Sequence, residues 1–197
     1  MTKEEADELL KIPGNVKGEG FLTSFEYVRY KKGEEGVKML EKKLKELGWP
    51  VKFKDIRSME WYPESLGILI ILTSKDLFNW TDKDILEIGH FAAKTSFFLR
   101  IMMRYFLSVS MTFRESPRYW KKNYDFGELE ASEFNEKEKY VVLQVKNFKF
   151  HPVMCIFFAG YFLQTAKFVI KSEKITIEET KCMFKGDPYH EYIIRWK

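Results

Sequence analysis

The chain has 197 residues, a net charge of +4 and a high aromatic share of 17% that includes 18 Phe and 10 Tyr. That length suits one domain with a real core, and charge scattered along the chain rather than gathered on one basic face speaks against a nucleic-acid partner. The polar, acidic start Met1-Thr2-Lys3-Glu4-Glu5 is unlike a secretory leader, and the longest apolar run, Val153 to Leu163, is too short to span a bilayer, so a cytoplasmic protein without a membrane span is expected.

In chain order, Thr2 to Lys11 reads as a short helix capped by Thr2 and ended by Pro13-Gly14-Asn15, a helical extension over residues 1–14. A second helix is expected from Gly20 to Lys31, with Phe21, Phe25 and Val28 at helical spacing and Gly33 as its break. Val37, Leu40, Leu44 and Leu47 form an amphipathic stripe that stops at Gly48-Trp49-Pro50. Trp61 to Ser65 reads as a helix entry with Pro63 in the first turn, leading into the wholly apolar Leu66 to Leu72. Thr81, Asp82 and Asp84 open the longest helix, which runs to about Tyr105 and carries Arg100 and Arg104 on one face.

Ser116-Pro117 begins a short helix bearing Tyr119, Trp120 and Tyr124. From there the period changes. Asp125 to Ser132 and Tyr140 to Val145 alternate as strands, Pro152 opens a helix from Val153 to about Ile170, and Lys174 to Cys182 and Tyr189 to Trp196 alternate again. The sum is an α+β fold over residues 1–197: a helical N-terminal half packed on a small antiparallel sheet, with a C-terminal β-β-α-β-β order.

Cys155 and Cys182 are the only cysteines, and a reducing compartment keeps them as free thiols. Cys182 and His190 flank a Gly186-Asp187-Pro188 turn, so a hairpin brings a thiol and an imidazole together as candidate zinc ligands. Glu179 is a possible third ligand, but its odd spacing from Cys182 puts the two on opposite strand faces unless a bulge intervenes. Cys155, on the apolar face of its helix, reads as inert, and His90 and His151 as packing residues. No phosphate loop, nucleophile elbow or paired-carboxylate motif occurs, so catalysis is not expected. Abundant Lys and Glu with Gln only at positions 144 and 164 is a thermophile-like composition.

Glu179-x-x-Cys182-x-x-x-Gly186-Asp187-x-x-His190-x-Tyr192-x-Ile194 resembles the end of the 4-vinyl reductase domain, with His190 in place of that family's second Cys. Pro152-x-x-Cys155-x-x-x-x-Gly160 is similar to the helix preceding it there. Val16-Lys17-Gly18-x-Gly20-Phe21, the Tyr62-Pro63 entry and Leu86-Glu87-Ile88-Gly89-x-Phe91 resemble the haem nitric-oxide-binding domain and its bacterial relatives. The superfamily includes Golgi transport tethering-complex subunits.

The resemblance implies a sensory or ligand-binding domain with a hydrophobic pocket between helices and sheet, and a metal at Cys182 and His190. It implies no reductase chemistry, since no hydride-cofactor site is visible. Haem is disfavoured, because the haem-binding relatives supply a proximal His after the long helices, where this chain has Tyr119-Trp120-Lys121-Lys122-Asn123-Tyr124. The expected function is a stand-alone sensor or carrier of a small apolar or aromatic molecule, lined by Phe98, Met102, Tyr105, Phe157, Phe158 and Tyr161. The alternatives are a dimerising interaction module, with a homodimer as its form, and a zinc-binding domain.

Overall fold

A computed structural model describes residues 1–96, 99 and 108–197. Helix α1 (Lys3–Leu10) starts at a capping box in which Glu5 N–H donates to Thr2 Oγ1 (3.2 Å) and Thr2 N–H to Glu5 Oε2 (2.8 Å). It buries Ala6 and Leu9 in the main core, so the N-terminal helix is part of that core. Strand β1 (Asn15–Lys17) follows, and α2 (Glu19–Glu46) runs 28 residues. Gly33, at φ 68° and ψ −171°, leaves helical geometry and divides α2 into two helices, the break expected from the sequence.

The short strand β2 (Trp61–Pro63) pairs with β1, placing Val16 opposite Tyr62, before α3 (Glu64–Phe78) begins on the far side of Pro63. Neither three-residue strand shows in the sequence pattern, because alternation over three residues is no signal. Helix α4 (Asp82–Thr95) opens where Asp84 accepts from both Thr81 N–H and Thr81 Oγ1, each at 2.8 Å. It ends at Ser96; the expected continuation to Tyr105 lies outside the described residues.

Helices α5 (Val109–Arg114) and α6 (Ser116–Asn123) lead into the sheet, formed by β3 (Glu128–Asn135), β4 (Tyr140–Lys146), β5 (Ile175–Lys181) and β6 (Tyr189–Trp196) in the antiparallel order β3-β4-β6-β5. Helix α7 (Val153–Val169) connects the two hairpins. On the inner face, Val141, Leu143 and Val145 stand opposite Ile194, Tyr192 and His190, all buried. Period-two alternation thus carries His190 into the core with its apolar neighbours.

The tightest joint is the crossing of α4 and α7. A Cβ on Gly89 would stand 2.0 Å from the Phe157 carbonyl oxygen, and one on Gly160 2.0 Å from that of Leu86. Both glycines belong to the motifs that carry the family resemblance; here they let two backbones touch.

A cysteine–histidine cluster behind an aromatic cleft

Four side chains converge where α7 meets the β5–β6 hairpin: Cys155, Glu179, Cys182 and His190, with one ligand-capable atom from each lying within 4.8 Å of the others. Cys155 Sγ is 3.7 Å from Cys182 Sγ and 3.6 Å from His190 Nδ1, and His190 Nδ1 is 3.3 Å from Glu179 Oε1. The hairpin neck is held by Cys182 N–H donating to Asp187 Oδ2 (2.8 Å), with Gly186 at φ 98°. Glu179 reaches the same side as Cys182 because the β5–β6 register slips between Glu179 and Lys181. That bulge adds the one residue that odd spacing lacked.

The electrostatics favour a cation among these donors. His190 is 2% exposed, and its Nε2 donates to the Phe148 carbonyl at 3.0 Å, which leaves Nδ1 directed at the thiol and the carboxylate. A metal-bound histidine is held in the same way, its far nitrogen anchored on a carbonyl. Burial pushes the Cys155 thiol well above its ordinary range, and the Glu179 charge adds to it. Burial also works to raise the Glu179 carboxyl, but its contacts with His190 and Cys155 outweigh that and hold it below its usual value. Two sulfurs, an imidazole and a carboxylate match the donor count and softness of a four-coordinate zinc site.

On the other side of α7 a cleft of about 70 Å³ opens between the helical half and the sheet. Its walls come from β1, the start of α2, α4, α6 and α7. Trp120 and Tyr124 stack at 4.1 Å, and the Trp120 indole N–H donates to the Phe126 carbonyl (2.9 Å), fixing that wall. Tyr119 and Tyr161 share a hydrogen bond of 3.0 Å between their hydroxyls and face a further chamber bounded by Thr112, Phe113 and Leu143. Burial pushes both phenols up, so they are neutral.

Of the residues expected to line a ligand site, Phe157, Phe158 and Tyr161 stand on the cleft wall, while Phe98, Met102 and Tyr105 lie outside the described residues. Cys182 and His190 come together as the hairpin suggested, and Cys155, read as inert, joins them. Helical periodicity marks an apolar face but does not say that a strand end meets it, so nothing in the sequence pairs Cys155 with Cys182. The phenol pair is likewise invisible in the sequence, because Tyr119 and Tyr161 are 42 residues apart. His151 caps the start of α7, accepting from Val153 N–H (3.0 Å), and His90 is half-buried on α4; neither faces the cleft. None of the described helices is long and apolar enough to cross a membrane.

No family model matches the chain, and no curated protein matches it. Solved structures do. An H-NOX protein from S. oneidensis in the Fe(II)NO ligation state aligns at a TM-score of 0.69 and 18% identity, over 92% of this chain and 99% of its own. A point mutant of T. tengcongensis H-NOX gives 0.67 and 19%, over 92% and 97%. A structure probing the function of haem distortion in the H-NOX family gives 0.64 and 18%, over 92% and 95%. The expectation that disfavours haem is thereby corrected: it rests on a histidine in one segment, whereas solved structures that share this fold are of haem-carrying H-NOX domains. The chain has the fold of the H-NOX domains, the superfamily architecture that its motifs resemble.

Proposed function

We propose that the protein is a sensor domain that holds a flat aromatic ligand in the cleft between its helical half and its sheet, with haem, the group described for its fold neighbours, as the first candidate. The observation that carries this reading is the cleft itself, walled largely by rigid aromatic rings, with the hydrogen-bonded Tyr119–Tyr161 hydroxyls among its polar groups. Apolar walls with few converging polar groups are the usual build of a small-molecule site. The chain's three histidines all lie elsewhere, so the cleft residues that would hold a haem are Tyr119 and Tyr161, whose phenol oxygens would serve as donors to its iron. Bound there, haem would supply an iron able to take a diatomic gas.

The chain's own residues orient and enclose. Trp120, Phe157 and Phe158 give the flat walls, and the Tyr119–Tyr161 hydrogen bond keeps each phenol oxygen directed at the other until a ligand replaces one partner. Both phenols sit in low dielectric, so only a strong cation displaces a proton there. Behind α7, Cys155, Glu179, Cys182 and His190 form a proposed zinc site that ties the helix to the β5–β6 hairpin.

Titration with ferric haem, read by absorption and by native mass spectrometry, tests the reading. One haem per chain is expected, with a phenolate-type spectrum that Tyr119→Phe or Tyr161→Phe abolishes. No retained haem, and no other retained mass in freshly purified protein, would overturn it.

A further inference from the structure

Glu64 is the first residue of α3 and is 5% exposed, yet among the described residues its carboxyl has no hydrogen-bond or ion-pair partner. It lines a small annex of about 30 Å³ whose walls include Val16, Gly20, Tyr124 and Phe157, and the same four residues wall the cleft. Annex and cleft therefore meet around those residues, and the acid stands at the inner end of the ligand space. No lysine, arginine or histidine is among the described residues lining the annex. Ser24 Oγ, on its wall, is turned to the Gly20 carbonyl at 3.2 Å. A buried polar group without a partner is costly, and this one is directed at space that no side chain fills.

We propose that Glu64 gives the cleft a second ligand class: an apolar or aromatic amine enters in place of haem, its cationic N–H group pairing with the Glu64 carboxylate in the annex. The inference rests on the cleft being the ligand site and names the polar end of what that site takes. Three features support it. Tyr124 and Phe157 present rings beside the acid, and aromatic faces attract cations. The first turn of α3 favours a negative charge at that position. Burial holds the Glu64 carboxyl up at about 8, so at neutral pH it is a neutral acid that ionises when a cation arrives, the proton leaving to solvent. The titratable group facing it in the annex is Tyr124, whose phenol burial and the Glu64 charge push up, and Lys17 and Glu19 are the charged residues on the adjoining cleft wall.

Isothermal calorimetry with 1-naphthylmethylamine and its uncharged isostere 1-ethylnaphthalene on the full chain tests the proposal. The amine is expected to bind at least about tenfold more tightly, the step a desolvated charge pair supplies. Glu64→Gln brings the two affinities to within about twofold while leaving that of the ethyl compound unchanged. Repeating the titration in buffers of different ionisation heat reads the proton: the wild type releases one as the amine binds below pH 8, less above it, and Glu64→Gln releases none. Equal affinities in the wild type, or a preference surviving in Glu64→Gln, would overturn the inference. If neither naphthalene binds but haem is retained, the amine inference falls and the sensor reading stands. If nothing binds, both fall.

Discussion

The two sides of α7 contrast in how they are filled. Behind the helix, four donors converge at close range, locked by a bulge, a left-handed Gly186 and a carbonyl on the far nitrogen of His190. In front of it, the cleft and its annex are mostly apolar and incompletely filled, and their polar groups include a phenol pair and an unpartnered acid. A polar cluster in low dielectric is stable only if every member is satisfied, and the rear site offers four protein donors to the proposed zinc ion. The front site is incomplete in protein atoms. That difference separates a structural knot from a ligand space, and it makes α7 the element both depend on.

The contrast is sharpest in its pH dependence. The Glu64 acid stands at about 8 in the folded chain against an ordinary 4.5, so the unfolded chain holds fewer protons between those values and stability falls as pH rises through that window. A shift of this size corresponds to roughly 3–5 kcal/mol. Urea unfolding at pH 5 and pH 8 should show the wild type losing stability and Glu64→Gln keeping it; parallel behaviour of the two proteins would show that the annex is wet.

The shared helix is tested at its crossing. Gly160→Ala places a methyl against the Leu86 carbonyl, where neither backbone has room, and is expected to cost about 3 kcal/mol, disturbing cluster and cleft together. A melting temperature indistinguishable from wild type would mean that the helices stand farther apart.

Metal separates the two sides. Zinc at about a hundredfold excess over its dissociation constant is expected to stabilise the wild type by about 2.7 kcal/mol, one ion per chain by elemental analysis. Cys182→Ser or His190→Ala should abolish that gain while leaving haem uptake in the cleft intact. Zinc stabilisation unchanged in both variants would place the ion elsewhere.

The smallest effect belongs to the phenol pair. Tyr161→Phe removes one hydrogen bond and is expected to cost about 1 kcal/mol in chemical denaturation, with the zinc response unaltered. A cost near zero would mean that water or a ligand already takes the place of the partner.

Much of this is legible in the sequence for a local reason. The Thr2 and Thr81 caps, Pro63 ahead of α3, Pro117 in α6 and the alternation of β4 and β6 are set by residues within one turn or one strand of each other, so propensity and period report them. The Gly186-Asp187 turn likewise tells that Cys182 and His190 meet. What eludes pattern reading is long-range or subtle: a one-residue bulge that turns Glu179 inward, and a helix face that brings Cys155 to a strand end 27 residues later.

By itself, then, the amino-acid order determined the succession of helices and strands, the inward face of the sheet and the pairing of one sulfur with one imidazole, because each follows from backbone geometry repeated over a few residues. Tertiary structure alone decided that a second sulfur and a carboxylate complete that pair, that two tyrosines 42 residues apart close one wall, and that Glu64 is buried without a partner among the described residues. Burial is a property of how elements pack. The same glutamate on an exposed helix start is an ordinary solvated charge, and only the walls around it make it a site.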